Sequence, residues 1–496
     1  MNSNTKKFAS IIFKGTISST IVTSSTQLIG IILLPVFTFY LTPEDYGIVS
    51  IVSMIVLILS HLTNPGILTA TNRLFHNTKD INEKKLLIGS ANVFFVTAAF
   101  VPLVLGLIFG PKLFSWIFND FPFYPYGFLA LLLNFLRQPS RSWITLMNLN
   151  YKFHQATIYN GISLIIGIVV SVILVVAFDM GAMGKVLGMF PSALILLFVS
   201  IITIYKYTGG IWSFNNIKKQ VLFGLPVIGA LWSTQILELG GAYLLERFSD
   251  MKSVGLFALA MSLAQLPLVL IHGFKQMWNP VLYDNMNNNN YQTIRKLINY
   301  FVGIITVLIL GVMLFSKEAI LIIVNERYYG AIPLVSFLIL GVYFNGLLTL
   351  SNSILGYKNK FGSISIFAIV GSGLFLILCF FLIPINGALG AAISFGISYF
   401  TYFTLSVWNQ KKSIFKIIEN WNLLIPILLV IIVNIISYNF SIYFYENKLN
   451  FIELLLKLII VVIAFIILFR VKIFLIEDIV SGYNSIIQYF KNKTKK

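Results

Sequence analysis

The 496-residue chain is poor in charge and has almost no cysteine. Lys, Arg, Asp and Glu together make up 10% of it, where a soluble domain carries about a quarter. Hydrophobic residues occupy 58% of positions and the mean hydropathy is +0.88. A water-soluble globular fold is excluded, and the composition is that of a polytopic membrane protein. Cys379, the only cysteine, sits inside LFLILCFFL, so one chain can form neither a disulfide nor a cysteine metal centre. The histidines, His61, His76, His154 and His272, lack metal-ligand spacing. No G-x-x-x-x-G-K-[ST] loop is present, so ATP hydrolysis is not expected, and no cofactor is called for. Acids are scarce too: 17 against 35 Lys and Arg, for a formal charge of +18. That excess does not form a patch on a soluble domain, so it belongs to membrane topology and not to nucleic-acid binding.

What is present is a series of apolar runs of about 20 residues bounded by Gly, Pro and charge. Fourteen spans are expected, near 15–40, 47–71, 87–109, 123–148, 156–178, 181–205, 221–245, 254–279, 298–324, 331–356, 363–384, 387–409, 422–444 and 452–472. Lys6, Lys7 and Lys14 precede a run reaching Leu41, too long for a signal-peptide core, so the first span is expected to be retained. The inner loops, counted with the N-terminus inside, collect most of the Lys and Arg, from Arg73, Lys79, Lys84 and Lys85 to Lys411, Lys412 and Lys416. The outer loops hold only Lys112, Arg247, Lys252, Lys317, Arg327 and Lys448. The bias places both termini in the cytoplasm. No loop leaves room for a soluble catalytic domain, so an enzyme is not expected. After Arg470, Ile476, Ile479, Val480, Tyr483, Ile487 and Phe490 share one helical face ahead of KNKTKK, which suits a basic helix on the membrane surface as well as a solubilising tail.

The two halves echo each other. Ser25-Thr26-Gln27 matches Ser233-Thr234-Gln235 and Tyr46-Gly47 matches Val254-Gly255, both at a shift of 208. Tyr151-Lys152 matches Tyr357-Lys358 and Gly181-Ala182-Met183-Gly184 matches Gly387-Ala388-Leu389-Gly390, both at a shift of 206. The expected fold is therefore an all-α polytopic bundle of two six-helix lobes, 1–205 and 206–409, related by a parallel internal repeat. Two further spans follow at 410–472, and a basic amphipathic tail at 473–496.

Few charges lie at membrane depth. Arg137 and Arg141, one helical turn apart, fall with Asn134, Gln138, Thr145 and Asn148 on one stripe of the fourth span. Each arginine at mid-membrane costs about 2.5–3.5 kcal/mol on insertion scales, so the stripe needs an anion or water beside it, or acids on other helices. At a shift of 206 the second copy has Tyr343 and Leu347 there, so the cations belong to one lobe only, which favours a ligand role. Lys275 and His272 lie on the eighth span with Gln265 on a polar face, and Gln27 and Asn64 mark polar stripes on the first two. The amides on these stripes suit sugars or water, or helix-to-helix hydrogen bonds. Glu238, midway along the seventh span, either pairs with Arg137, Arg141 or Lys275, or carries H⁺ or Na⁺ and couples transport to a gradient.

LIGIILLPVFTFYLTPEDYGIVSIVS at 28–53 resembles the opening of the polysaccharide transporter family, whose members often read P-x-x-T-x-x-L-x-P-x-x-Y-G. The matching residues are Pro35, Thr38, Leu41, Pro43, Tyr46 and Gly47. The stretches 223–260 and 383–400 are similar to that family as well. The resemblance implies the multidrug/oligosaccharidyl-lipid/polysaccharide flippase superfamily. It implies a flippase of the bacterial cytoplasmic membrane that carries undecaprenyl-diphosphate-linked repeat units outward by alternating access, for O-antigen, capsule or related polymer. Its partners would be the lipid-linked oligosaccharide, membrane lipid and polysaccharide polymerase machinery. Arg137, Arg141 and Lys275 would meet the diphosphate, and Gln27, Asn64, Asn134, Gln265 and His272 would line the cavity. The alternatives are a lipid II-type flippase and a multidrug extrusion antiporter, although organic cations call for acidic cavity residues.

Overall fold

The structure is a computed structural model that describes residues 29–30, 32–225, 228–410, 424–443 and 450–470. Within them the chain is all-helical. Its elements are α1 (Leu34–Tyr40), α2 (Pro43–Leu62), α3 (Ile67–Asn77), α4 (Ile81–Ile117), α5 (Phe128–Leu149), α6 (Phe153–Val172), α7 (Gly181–Leu187), α8 (Met189–Thr208), α9 (Phe214–Gly224), α10 (Ile228–Phe248), α11 (Met251–Ala264), α12 (Leu268–Asn287), α13 (Tyr291–Ile323), α14 (Ile332–Tyr357), α15 (Phe361–Trp408), α16 (Leu424–Tyr443) and α17 (Phe451–Arg470). Eight helices among the described residues are long and apolar enough to cross a membrane, nine if α11 and the start of α12, bent by 50°, count as one span. The protein is a multi-pass membrane protein. A helix lies in each expected interval from 47–71 onward, although α5, with its polar stripe, is not among the eight. The first expected span is described only from residue 29, and the basic tail at 473–496 lies outside the described residues.

Local chemistry sets the boundaries. Thr42 caps α2: its Oγ1 accepts from the Asp45 amide at 3.1 Å while its own amide donates to Asp45 Oδ2 at 3.0 Å, with Pro43 at the first helical position. The T-P-E-D segment ahead of Tyr46-Gly47 is thus a helix start. The second expected span, 47–71, is not one helix. Pro65 has no amide to donate and Gly66 takes φ +72°, so the chain breaks after α2 and restarts as α3. A side chain on Gly66 would lie 2.6 Å from the Gly224 Cα at the end of α9, so that crossing requires glycine.

The repeat is legible in the backbone. Gly181 and Gly387, at a shift of 206, take φ +52° and +53°. Asp250 accepts from the Ser253 amide at 2.7 Å at the start of α11, as Thr42 does from Asp45 in α2, at a shift of 208. After α5, Lys152 donates to the Met147 carbonyl and Tyr151, at φ +56°, to the Asn148 carbonyl. After α14, Lys360 donates to the Leu355 carbonyl and Asn359, at φ +55°, to the Gly356 carbonyl. This corner therefore aligns at 208 and not at the expected 206. The counterparts of Arg137 and Arg141 become Asn345 and Thr349, which are half-buried as the arginines are, whereas Tyr343 and Leu347 are buried. The second copy still has no cation there.

Packing divides the chain into two compact units. One gathers residues up to Ser262 with Ile323–Ala331 and Ala368–Ser398. The other comprises Leu263–Ile322, Ile332–Phe367 and the residues from Tyr399 on. These packing units differ from the expected lobes 1–205 and 206–409, which were drawn from matched sequence segments. All the turns near residues 41, 119, 179, 249, 325 and 387 belong to the first unit. The many exposed Leu, Ile, Val and Phe side chains, such as Ile166, Phe198, Ile377 and Ile459, are what lipid-facing helices require.

Candidate functional site: a cationic stripe on α5

The rotation of α5 is set by apolar packing. Trp143, Leu146, Met147 and Leu149 form one buried cluster with Phe75 of α3, Ile88 of α4, Ala156 of α6 and Ile204 of α8. With that face locked, the polar stripe divides in two. Asn134, Gln138, Ser142 and Thr145 are buried, Asn134 and Gln138 at 1% exposure. Arg137 and Arg141 are half-buried and Asn148 is exposed. Gln138 Nε2 donates to Asn134 Oδ1 at 2.8 Å, and the remaining Asn134 amide nitrogen and Gln138 oxygen have no partner. Asn134 is therefore packed between helices and does not stand beside the arginines.

Among the described residues the two guanidiniums have no protein counter-charge. No ion pair or hydrogen bond of either side chain exists among the described residues, and the same holds for Glu238, which is exposed on α10. A pairing of Glu238 with Arg137 or Arg141 is thus not what the structure contains. The α5 helix runs through Pro139, and Ser140 Oγ donates to the Arg137 carbonyl at 2.6 Å.

The remaining candidates fall elsewhere. Asn64 is half-buried and its Oδ1 accepts from the Leu68 amide at 3.3 Å, which caps the first turn of α3. Gln265, in the bend between α11 and α12, offers its carbonyl to the Leu268 amide at 2.9 Å. His272 and Lys275 are exposed on α12, and with Gln265 they belong to the second unit, whereas Arg137, Arg141 and Glu238 belong to the first. Gln27 lies outside the described residues.

Sequence reasoning missed a charged cluster. Lys317, expected in an outer loop, and its neighbour Glu318 lie near the end of α13 and are buried, as are Glu453 and Lys457 of α17. Lys317 Nζ meets Glu453 Oε2 at 2.7 Å, and Lys457 Nζ meets Glu453 Oε1 at 2.7 Å and Glu318 Oε1 at 2.6 Å. Glu453 and Lys457, four apart in an apolar run, were the available signal. Glu318 and Glu453 are thus acids within long apolar helices, in addition to Glu238 on α10, and both of them are buried. Lys185 of α7 is a further half-buried cation, its ammonium 2.9 Å from the centre of the Phe37 ring.

The described residues form an all-helical, multi-pass membrane protein. The family model described as "Polysaccharide biosynthesis protein" matches residues 12–286, and the chain belongs to that family. No curated protein sequence matches it. Among solved structures, the fold is similar to a lipid II flippase, MurJ, in an inward closed conformation, with TM-score 0.66 and 18% identity over 93% of this chain and 97% of that one. It is similar to a multidrug resistance MATE family transporter of the MOP superfamily in an inward-facing conformation, with TM-score 0.63 and 15% identity over 77% and 93%. An outward-facing structure of such a transporter matches with TM-score 0.51 and 16% identity over 82% and 96%. The chain is thus a multi-pass membrane member of a polysaccharide biosynthesis family, with a fold similar to those flippase and transporter structures.

Proposed function

We propose that this protein carries an undecaprenyl-diphosphate-linked oligosaccharide across the bacterial cytoplasmic membrane by alternating access, with both termini in the cytoplasm. The observation that carries the reading is the pair Arg137 and Arg141, half-buried on a mid-bundle helix without an acid beside them. Unpaired guanidiniums at this depth are costly unless a ligand or water meets them. A diphosphate offers oxygens that two guanidiniums one turn apart can grip in bidentate fashion. Lys275 and His272, exposed on α12, and half-buried Gln265 are further candidate polar and cationic contacts for the substrate. Transport also demands release, so the grip must be similar in both access states. An organic cation would find two positive charges in its path, which disfavours the extrusion reading. A lipid II-type substrate presents the same diphosphate, so the glycan is what separates it from the favoured one.

The test is deletion of the gene, with analysis of the lipid-linked oligosaccharide that accumulates in the inner leaflet, followed by complementation with Arg137→Ala/Arg141→Ala. The expected result is accumulation that wild type clears and the double variant, inserted at wild-type level, does not. Full export by the double variant overturns the role of the arginines. Normal surface glycan with drug hypersensitivity in the deletion strain overturns the substrate class.

A further inference from the structure

The turns gathered in the first unit make contacts that join one repeat copy to the other, and they do so twice. Gly47 of α2 and Gly255 of α11 are counterparts at a shift of 208, and so are Pro43 and Met251. A Cβ on Gly47 would fall on the Met251 carbonyl oxygen, and one on Gly255 would fall on the Pro43 carbonyl oxygen. The same two atoms would lie 3.3 Å from the Gly255 nitrogen and 3.1 Å from the Gly47 nitrogen. The two helix starts therefore touch backbone to backbone about a local two-fold axis, an approach that glycine alone permits.

Two sets of hydrogen bonds also join the copies, one from each. At the end of α10, Glu246 is fully buried, and its Oε1 accepts from the amides of Asn119, Asp120 and Phe121 at 2.7, 2.8 and 3.2 Å. The Asn119 side chain donates to the Arg247 carbonyl at 2.7 Å and accepts from the Arg247 guanidinium. At the end of α1, Thr38, the counterpart of Glu246, accepts from the Asn325 amide at 3.5 Å. Tyr328, from the same turn, donates to the Leu41 and Thr42 carbonyls at 3.1 and 2.8 Å. In each case the end of a helix in one copy holds the turn after the third span of the other.

We propose that this double clasp around Gly47 and Gly255 is the closed external gate of the carrier, and that both halves must release for the substrate to leave. The inference rests on the alternating-access reading above, and the loop charges place these turns outside. The bonding suits reversible closure. The Glu246 carboxylate is held by amides and has no counter-ion, and its second oxygen has no partner at all. A carboxylate so held forfeits hydration that opening restores, so the closed state is only modestly favoured.

The experiment uses the full chain with Cys379→Ala, which removes the only cysteine. Asn119→Cys with Arg247→Cys, oxidised in cells, is expected to cut export at least about tenfold, with recovery on reduction, because one closed state is then held. Export by the cross-linked pool at the reduced rate overturns the gate. A second measurement needs no substrate. Ser262→Cys, two turns inward of Gly255 on the same helix face, is exposed to a membrane-impermeant maleimide on intact cells and on inverted vesicles. Gly47→Leu, Gly255→Leu and Glu246→Ala, each inserted at wild-type level, are expected to raise labelling from the outside about tenfold, as loss of one clasp shifts the closed-to-open ratio. Unchanged labelling from both faces in all three overturns the gate, whatever the arginine variants do to export. Raised labelling together with full export by Arg137→Ala/Arg141→Ala keeps the gate and removes the diphosphate reading.

Discussion

Two charged regions of this protein obey opposite rules. Between α13 and α17 four buried charges neutralise one another at 2.6–2.7 Å. On α5 two arginines sit half-buried with no acid in reach. A buried pair is an internal account that closes without a ligand: each ion's lost hydration is offset by the other's charge, and the cluster pins α17 to α13 in one register. The arginines have no such protein partner, so whatever desolvation they suffer is offset only by water or by a ligand. Charge at depth is therefore not one signal but two, and partnership tells them apart.

The comparison breaks most readily at the paired cluster. Lys457→Ala leaves Glu453 and Glu318 without their shared ammonium and is expected to cost about 3–5 kcal/mol, read as a fall in melting temperature of the purified protein in detergent. Replacing Lys317, Glu318, Glu453 and Lys457 together with Leu or Met is expected to restore most of that loss, since an ion cluster and a well-packed apolar one are close in energy. A quadruple variant as unstable as Lys457→Ala shows that the cluster has a role beyond packing.

The two copies of the repeat give the next contrast. Gly181→Ala and Gly387→Ala each force a side chain into positive φ, at about 1–2 kcal/mol apiece, and melting temperatures should fall by similar amounts if the corners are equivalent. On α5 the sign reverses. Asn134→Leu/Gln138→Leu removes a buried pair that leaves two polar atoms unsatisfied, so stability is expected to change by less than about 1 kcal/mol or to rise. Export should persist, because neither side chain stands with the arginines. Loss of export at unchanged stability would return Asn134 to the binding surface. The smallest effect is expected of Glu238→Gln, which has no ion pair to lose. Its melting temperature should hold, and a loss of proton or sodium dependence in vesicle transport is the outcome that assigns Glu238 to coupling. Unaltered gradient dependence removes it from that role.

The sequence was most informative where a pattern is periodic. Twenty-residue apolar runs locate the helices because lipid leaves the backbone no other way to satisfy its hydrogen bonds. The glycine matches located the repeat because Gly181 and Gly387 take a conformation that other residues rarely adopt. Two-residue slips were harder. Tyr151-Lys152 and Tyr357-Lys358 share letters, yet the hydrogen bonds align Tyr151 with Asn359, since the corner selects a left-handed residue and not a tyrosine.

Partnership across distance was not legible. Glu453 and Lys457 are spaced to pair with each other, but nothing in the sequence says that Lys317 and Glu318, more than a hundred residues earlier, complete the set. Nor does a helical wheel show where a polar stripe divides, because the rotation of α5 depends on Trp143 and Met147 meeting side chains from four other segments. By itself the sequence determined that the chain crosses a membrane many times, and it carries the matched segments of its two halves and the two arginines within an apolar run. Hydropathy, glycine placement and charge count are local properties that survive without a fold. Only the tertiary structure decided that those arginines have no partner while Lys317 and Lys457 do, and that Glu246 binds a turn of the other copy. Pairing energies fall steeply with distance, and distance between spans is set by the packing of the whole bundle.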